Sequence, residues 1–416
     1  MRHGGLLALS MLVLHAANWL YHIVMSRALG PIEYGALSAV LGLLLLFTVP
    51  AHAIQMGMSA MVAREGMDAA GRGFPRGRWP TGTILFGVGA YAVLVGVSPW
   101  ISSLFGLSST TAIVVGASVL IPWSVLPYFR GWLQGHQRSA ALGVSLTAEG
   151  VVKLAVAAFL VSQGLGVVGA ISGVSLGAFA ALLLTVPTRR FTQPDLPRRV
   201  HRSETLDVAL APYLLAVSAF SVLTQADVIV VKILFPAHEA GLYAAASTAG
   251  KIILYVTAPL AMVMLPEMVR RGPRSPEGRA VLLRGVRYAG ALGGACVALY
   301  LAAPATLIRV LFGPGYADAA PLLGWLGLGM LAYELALLGM YYQLGAGGRG
   351  GLWSIIALAV IFPALALGVG KSVLAVAVLV AGLGAVSCTA VWWRVWPLLR
   401  GSSGGHGLGV VPHAEG

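Results

Sequence analysis

Charge is scarce in this 416-residue sequence. Only 10% of its residues are Asp, Glu, Lys or Arg, against about 25% in an ordinary soluble domain. The deficit runs along the whole chain, which excludes a separate soluble domain within it. Acidic residues are scarcest, 14 against 27 Lys and Arg. Cysteine is limited to Cys296 and Cys388, both inside apolar runs. That excludes a disulfide framework or a thiolate metal cluster, and both read as small buried apolar side chains. No Walker A, HExxH or CxxC string is present, so no cofactor or metal is expected and no enzyme chemistry is indicated.

What is abundant is apolar surface, at 58% of residues, together with 54 glycines, which suit close helix packing in lipid. About 20 apolar residues carry a helix across the hydrocarbon core. Twelve segments qualify: 5–26, 35–63, 81–104, 111–129, 140–162, 167–187, 207–232, 241–268, 286–309, 320–344, 353–370 and 373–396. The first is long enough to span, and no small-residue cleavage site follows it, so it reads as a membrane helix rather than a signal peptide.

The connecting loops alternate in charge. One set carries Arg64, Arg72, Arg76 and Arg78, then Arg130 and Arg138, then Arg189, Arg190, Arg198, Arg199 and Arg202, then the cluster Arg270 to Arg287, then Arg349. The opposite set holds Arg27, Lys232, Arg309 and Lys371. Cytoplasmic loops are the basic ones, so the expectation is a multi-pass cell-membrane protein with both termini cytoplasmic. The net charge of +13 is then a topology signal and not a nucleic-acid footprint. Trp79, Trp353, Trp392, Trp393 and Trp396 fall where interfacial aromatics belong. The Gly-rich residues 398–416 read as a disordered cytoplasmic tail.

Two stretches repeat at about half the length. ALGPIEYGALSA (28–39) and LFPAHEAGLYAA (234–245) align at an offset of 206, pairing Glu33 with Glu239 and Gly35 with Gly241. The same offset pairs Arg64 with Arg270. Leu104-Phe105-Gly106 and Leu311-Phe312-Gly313 align at 207. An offset of six spans keeps the halves parallel, as in transporters whose two halves rock about a central site. The expected fold is therefore all-α, a polytopic membrane bundle of about twelve helices in two parallel pseudo-symmetric six-helix lobes, residues 1–200 and 201–397.

Ionisable residues inside spans cost roughly 2.5–3.5 kcal/mol each on insertion scales and normally face a protein interior or a wet cavity. Glu149 and Lys153 are spaced i,i+4 with Ser145 one turn earlier, one helix face on which Glu and Lys read either as an ion pair or as cavity contacts. Lys251 shares a stripe with Ser247 and Tyr255. Asp227 stands beside Thr224 and Gln225, and an Asp227–Lys251 pair between neighbouring helices is the structural alternative to a lumen role. Glu334 has no local partner and, with Asp227, is a candidate for ion or proton coupling. His15, Asn18, His22 and Ser26 form one polar face of the first span, and Thr48, His52, Gln55 and Ser59 another in the second. Arg27, His22, Asn18, Gln55, Glu149, Lys153 and Lys251 are the candidate substrate-binding residues.

The stretch SRALGPIEYGALSAVLGLLLLFTVPAHAIQMGMSAMVARE resembles the start of polysaccharide biosynthesis proteins, the Wzx-like oligosaccharide flippases of the multidrug/oligosaccharidyl-lipid/polysaccharide (MOP) superfamily. Arg27, Leu29-Gly30, Glu33-Tyr34-Gly35 and Arg64 carry the likeness. In the second half it rests on Asp227, Ala240 to Tyr243, Pro266, the LFGxxY string with Ala319, and Gly345-Ala346-Gly347. The resemblance implies movement of an isoprenoid-pyrophosphate-linked saccharide to the outer leaflet by alternating access, coupled to H+ or Na+, with membrane lipids as its surroundings. A drug or metabolite exporter of the same superfamily is the alternative. A membrane-embedded glycan polymerase would need a sizeable outer loop with catalytic Arg or His, and the outer loops here are short.

Overall fold

The computed structural model describes residues 2–47, 54–55, 58–59, 62, 81–136, 138–185, 204–257, 271–346, 348–369 and 372–400, without the side chains of 2–8, 204–214 and 400. All regular structure among the described residues is helical. The helices are α1 (Arg2–Leu46), α2 (Thr81–Leu104), α3 (Thr111–Ala117), α4 (Leu120–Gly135), α5 (Ser139–Ser162), α6 (Gly166–Thr185) and α7 (Glu204–Leu234). Then come α8 (Ala237–Gly250), α9 (Pro276–Ala302), α10 (Pro304–Phe312), a 3-10 turn (Pro314–Ala319), α11 (Ala320–Gly345), α12 (Gly350–Val369) and α13 (Val373–Arg400).

Ten described stretches are long and apolar enough to cross a membrane. One of them, Leu9–Leu46, contains two helices. Helix α1 breaks at Gly30, whose φ of 70° and ψ of 176° are open to glycine and costly for other residues. Pro31 then restarts the helix, a position where its missing N–H costs nothing. The chain folds back there. His22 and Tyr34 touch at 3.1 Å, although twelve residues span about 18 Å of straight helix. The loop expected between 26 and 35 is thus a one-residue break. With α8, which continues helically to residue 257, the polytopic all-α bundle of about twelve helices is accounted for.

Several boundaries differ from expectation. The fourth span runs to Gly135, six residues past its expected end, with a short interruption between α3 and α4. Arg130 therefore lies inside a helix and not in a loop. Helix α9 begins at Pro276, so Arg279, Arg284 and Arg287 are helical too. Ser275 caps it by accepting a hydrogen bond from the Gly278 N–H at 2.9 Å, the arrangement that satisfies an orphan donor of a first turn. Arg64, Arg270 and residues 401–416 lie outside the described residues.

Both Leu-Phe-Gly strings end helices in the same way. Gly106 and Gly313 take positive φ, 61° and 104°, while Phe105 and Phe312 are buried. Among the described residues, every extensive contact between the first half of the chain and the second runs through α1, which packs on α7, α8 and α10. One of these contacts joins the two glycines that the repeat aligns. A Cβ on Gly35 would lie 2.9 Å from the Gly241 Cα, and one on Gly241 would lie 1.9 Å from the Pro31 carbonyl oxygen. Backbone meets backbone at this crossing, as small residues permit in membrane bundles.

Candidate functional site

A cavity of about 260 Å³ lies where α1 faces α5 on one side and α7 and α8 on the other. His15, Asn18 and His22 from α1 line it, with Trp123, Glu149 and Lys153 from the first half and Gln225, Thr248, Lys251 and Tyr255 from the second. Of the polar face expected on the first span, His15, Asn18 and His22 turn to this cavity and Ser26 does not. His15 approaches Tyr255 across the halves, ring centroids 6.5 Å apart.

Each half supplies one lysine, and an amide oxygen on the first helix of that half accepts from it. Lys153 Nζ donates to Asn18 Oδ1 and sits 4.5 Å from the centre of the Tyr21 ring, a cation–π distance. Lys251 Nζ donates to Gln225 Oε1 at 3.0 Å. Asn18 and Gln225 are 207 positions apart, the offset of the Leu-Phe-Gly strings.

Of the two carboxylates, Glu149 lines the cavity and Asp227 does not. Asp227 is fully buried and accepts from Ser247 Oγ at 2.7 Å, Tyr243 OH at 3.2 Å and Lys251 Nζ at 3.5 Å. The structural alternative for Asp227 and Lys251 is therefore the observed one, although Lys251 also reaches the cavity. Glu149 and Lys153 do not form the anticipated i,i+4 ion pair. Glu149 Oε2 instead accepts from Arg130 Nη2 at 2.7 Å, and Oε1 from Trp123 Nε1 at 3.2 Å. The Arg130 Nε also donates to Ser145 Oγ at 3.1 Å. A guanidinium fork offers several donors in one plane, so it satisfies Ser145 and Glu149 together, which one ammonium on the same helix does not. The sequence reading puts Arg130 in a loop, because the fourth span is expected to end at residue 129, and gives Trp123, which lies inside that span, no role. Their i,i+7 spacing, two turns on one face, is the signal that was present.

Formal charges around the cavity do not cancel. Arg130, Lys153 and Lys251 stand against Glu149 and Asp227, and among the described residues Lys153 has no carboxylate within 4.0 Å.

Other candidates lie elsewhere. Arg27 is exposed and donates to the Val310 carbonyl, outside the cavity, where it ties α1 to α10. Gln55 bonds Gln134 at 3.1 Å and packs on α4. Glu334 is buried in α11 and does not line the cavity, and its Oε1 has no hydrogen-bond partner. Thr48 and His52 lie outside the described residues. Residues 173–177 read Gly-Val-Ser-Leu-Gly, the string of a hydrolase nucleophile turn. Ser175 sits instead in mid-helix, buried, its Oγ donating to the Val115 carbonyl at 2.9 Å.

At the end of the bundle carrying Gly106 and Gly313, the two halves of the chain meet. Tyr316 OH donates to the Ser26 carbonyl at 2.8 Å. Tyr34 packs against Phe312 and Tyr316, ring centroids 6.0 Å away in each case.

The fold of this helical bundle is shared with solved transporters of the MOP superfamily. The chain superposes on a multidrug resistance MATE family transporter in an inward-facing conformation with a TM-score of 0.71, covering 93% of this chain and 96% of that one at 17% identity. For the outward-facing conformation the score is 0.62, at 95% and 96% coverage and 16% identity. A MOP superfamily transporter from Pyrococcus furiosus, described as having a binding pocket of reverse polarity, matches at 0.62, covering 94% and 95% at 16% identity. A polysaccharide biosynthesis protein model matches residues 1–271. The chain belongs to that family. Uncharacterized proteins of Mycobacterium bovis and Mycobacterium tuberculosis are 24% identical over 271 residues, 61% of this chain, and the match spans 59% of their length.

Proposed function

We propose that this protein carries a saccharide linked to an isoprenoid pyrophosphate from the cytoplasmic to the outer leaflet of the cell membrane. It acts as a transporter and not as an enzyme, and both of its termini are cytoplasmic. The uncompensated Lys153 in a cavity shared by both halves is the observation that carries this reading. A pyrophosphate brings the negative charge that such a site lacks. Asn18, His22 and Gln225 offer hydrogen bonds to sugar hydroxyls, while the lipid tail stays in the bilayer. A cavity near the lower edge of the usual 300–1,000 Å³ ligand range suits a charged headgroup, so a longer saccharide requires the halves to part.

Residues 1–200 and 201–397 act as the two rocking lobes. The matched glycine geometry at 106 and 313 and the contact between Gly35 and Gly241 support a pseudo-two-fold between them. Outer closure through Tyr34, Phe312 and Tyr316, with the better superposition on an inward-facing neighbour, supports an inward-facing state. Glu334, buried with one oxygen unbonded, is the proposed H+ or Na+ coupling residue. Asp227, saturated by three donors, serves as the counter-ion of Lys251.

The test is depletion of the protein in a strain without a redundant flippase. Lipid-linked saccharide should collect in the cytoplasmic leaflet, and unimpaired translocation would sink the proposal. The MATE neighbours favour a second reading, an ion-coupled exporter of drugs or metabolites. It predicts efflux of small solutes by the purified protein in vesicles and no movement of the lipid-linked saccharide.

A further inference from the structure

Tyr34 occupies a position that neither the cavity nor the outer closure accounts for alone. It is fully buried on α1, four residues past the Gly30 break. Its hydroxyl donates to Thr248 Oγ1 at 3.2 Å. With that proton committed, its oxygen accepts from His22 Nδ1 at 3.1 Å, which leaves Nε2 as the acceptor of a neutral His22 ring. His22 and Thr248 both line the cavity, one from each half. The other side of the Tyr34 ring abuts Phe312 and Tyr316, and Tyr316 in turn holds the Ser26 carbonyl. One side chain thus has its polar end among cavity-lining residues and its apolar edge in the outer closure.

We propose that Tyr34 couples cavity occupancy to the outer gate. A ligand that takes Thr248 as a hydrogen-bond partner deprives the Tyr34 O–H of its acceptor. A buried hydroxyl without a partner is unfavourable, so the ring is released from Phe312 and Tyr316 and the outer end opens. The coupling is thermodynamic: the ligand shifts the gate because it binds the two gate states unequally. It rests on the reading of the cavity as the transport site. Losing one such bond, about 1.4 kcal/mol, changes a two-state ratio about tenfold.

The experiment places spin labels at Leu165 and Asp318, exposed positions at the outer ends of the two halves, in a Cys296→Ala/Cys388→Ala background. Double electron–electron resonance in lipid nanodiscs reads their separation. The probe is farnesyl pyrophosphate. Tyr34→Phe keeps the ring and removes the hydroxyl. Without the probe it should shift the population about tenfold toward the longer distance, at an unchanged unfolding temperature. Thr248→Val should do the same, and the double variant should add nothing. The proposal is overturned if Tyr34→Phe keeps the wild-type distance distribution while Tyr34→Ala opens the gate, since ring packing alone would then close it. It is equally overturned if the two variants act additively. If farnesyl pyrophosphate, shown by calorimetry to bind, leaves the wild type closed, the coupling is overturned; if it does not bind at all, the pyrophosphate reading falls instead.

Discussion

A methyl group added at Gly241 would lie 1.9 Å from the Pro31 carbonyl oxygen and 2.4 Å from its carbon. Carbon and oxygen tolerate about 3.3–3.6 Å even in close C–H···O contact. The α1–α8 crossing must therefore open by more than about 1 Å. No rotamer change relieves the clash, because the obstacle is backbone on a helix that restarts one residue after a break. Overpacking costs about 1–3 kcal/mol where neighbours can yield, and here the upper end applies. Gly35→Ala meets the Gly241 Cα at 2.9 Å, needs a smaller shift, and should cost about 1 kcal/mol. Both substitutions touch the contact that joins the halves, so the loss should be seen as outer-end opening as well as instability. The assay is thermal unfolding in detergent at a fixed scan rate, paired with the Leu165–Asp318 distance. Gly241→Ala should lower the midpoint well below that of Gly35→Ala and broaden the distance distribution. A Gly241→Ala protein with wild-type midpoint and distances would refute the backbone-to-backbone crossing.

Arg130→Met should destabilise by about 3–5 kcal/mol by stranding the Glu149 charge, and adding Glu149→Gln should recover most of it in the same unfolding assay; no recovery means the pair is not the reason. Lys153→Met should reduce lipid-linked saccharide flipping at least tenfold at normal expression, and wild-type flipping would remove Lys153 from the site. Arg27→Ala should leave farnesyl pyrophosphate affinity unchanged because Arg27 lies outside the cavity, so a large loss measured by calorimetry would contradict its position at the outer rim. Gly30→Ala should cost about 1–2 kcal/mol from the positive φ it must adopt, read as a lower unfolding midpoint.

Much of the fold was legible because a bilayer imposes long apolar helices, and length and hydropathy report them directly. The second span of each half shows where that legibility ends. The break after the first span has no polar loop, only Gly30-Pro31, so hydropathy alone put too wide a gap there. Of the expected site residues, Asn18, His22, Glu149, Lys153 and Lys251 line one cavity, whereas Asp227 and Glu334 do not. Partner choice was not legible. Spacing along α5 suggested Glu149 with Lys153, but Arg130 on another helix takes the carboxylate. Arg27 and Gln55 carried plausible chemistry and went elsewhere, because a position near a helix end does not say which neighbour the side chain will meet.

The sequence by itself determined that the chain is a multi-span helical membrane protein, which charges are rare enough to matter, and that two short stretches recur at about half its length. Those properties depend on composition and on periodicity along one chain. The tertiary structure alone decided that Gly35 and Gly241 touch, that Lys251 lies beside a carboxylate and Lys153 does not, and that Tyr34 reaches from His22 and Thr248 to Phe312 and Tyr316. Each of these depends on distances across helices remote in sequence. In a low-dielectric interior, a few ångströms decide whether a charge is paired or is left for a ligand.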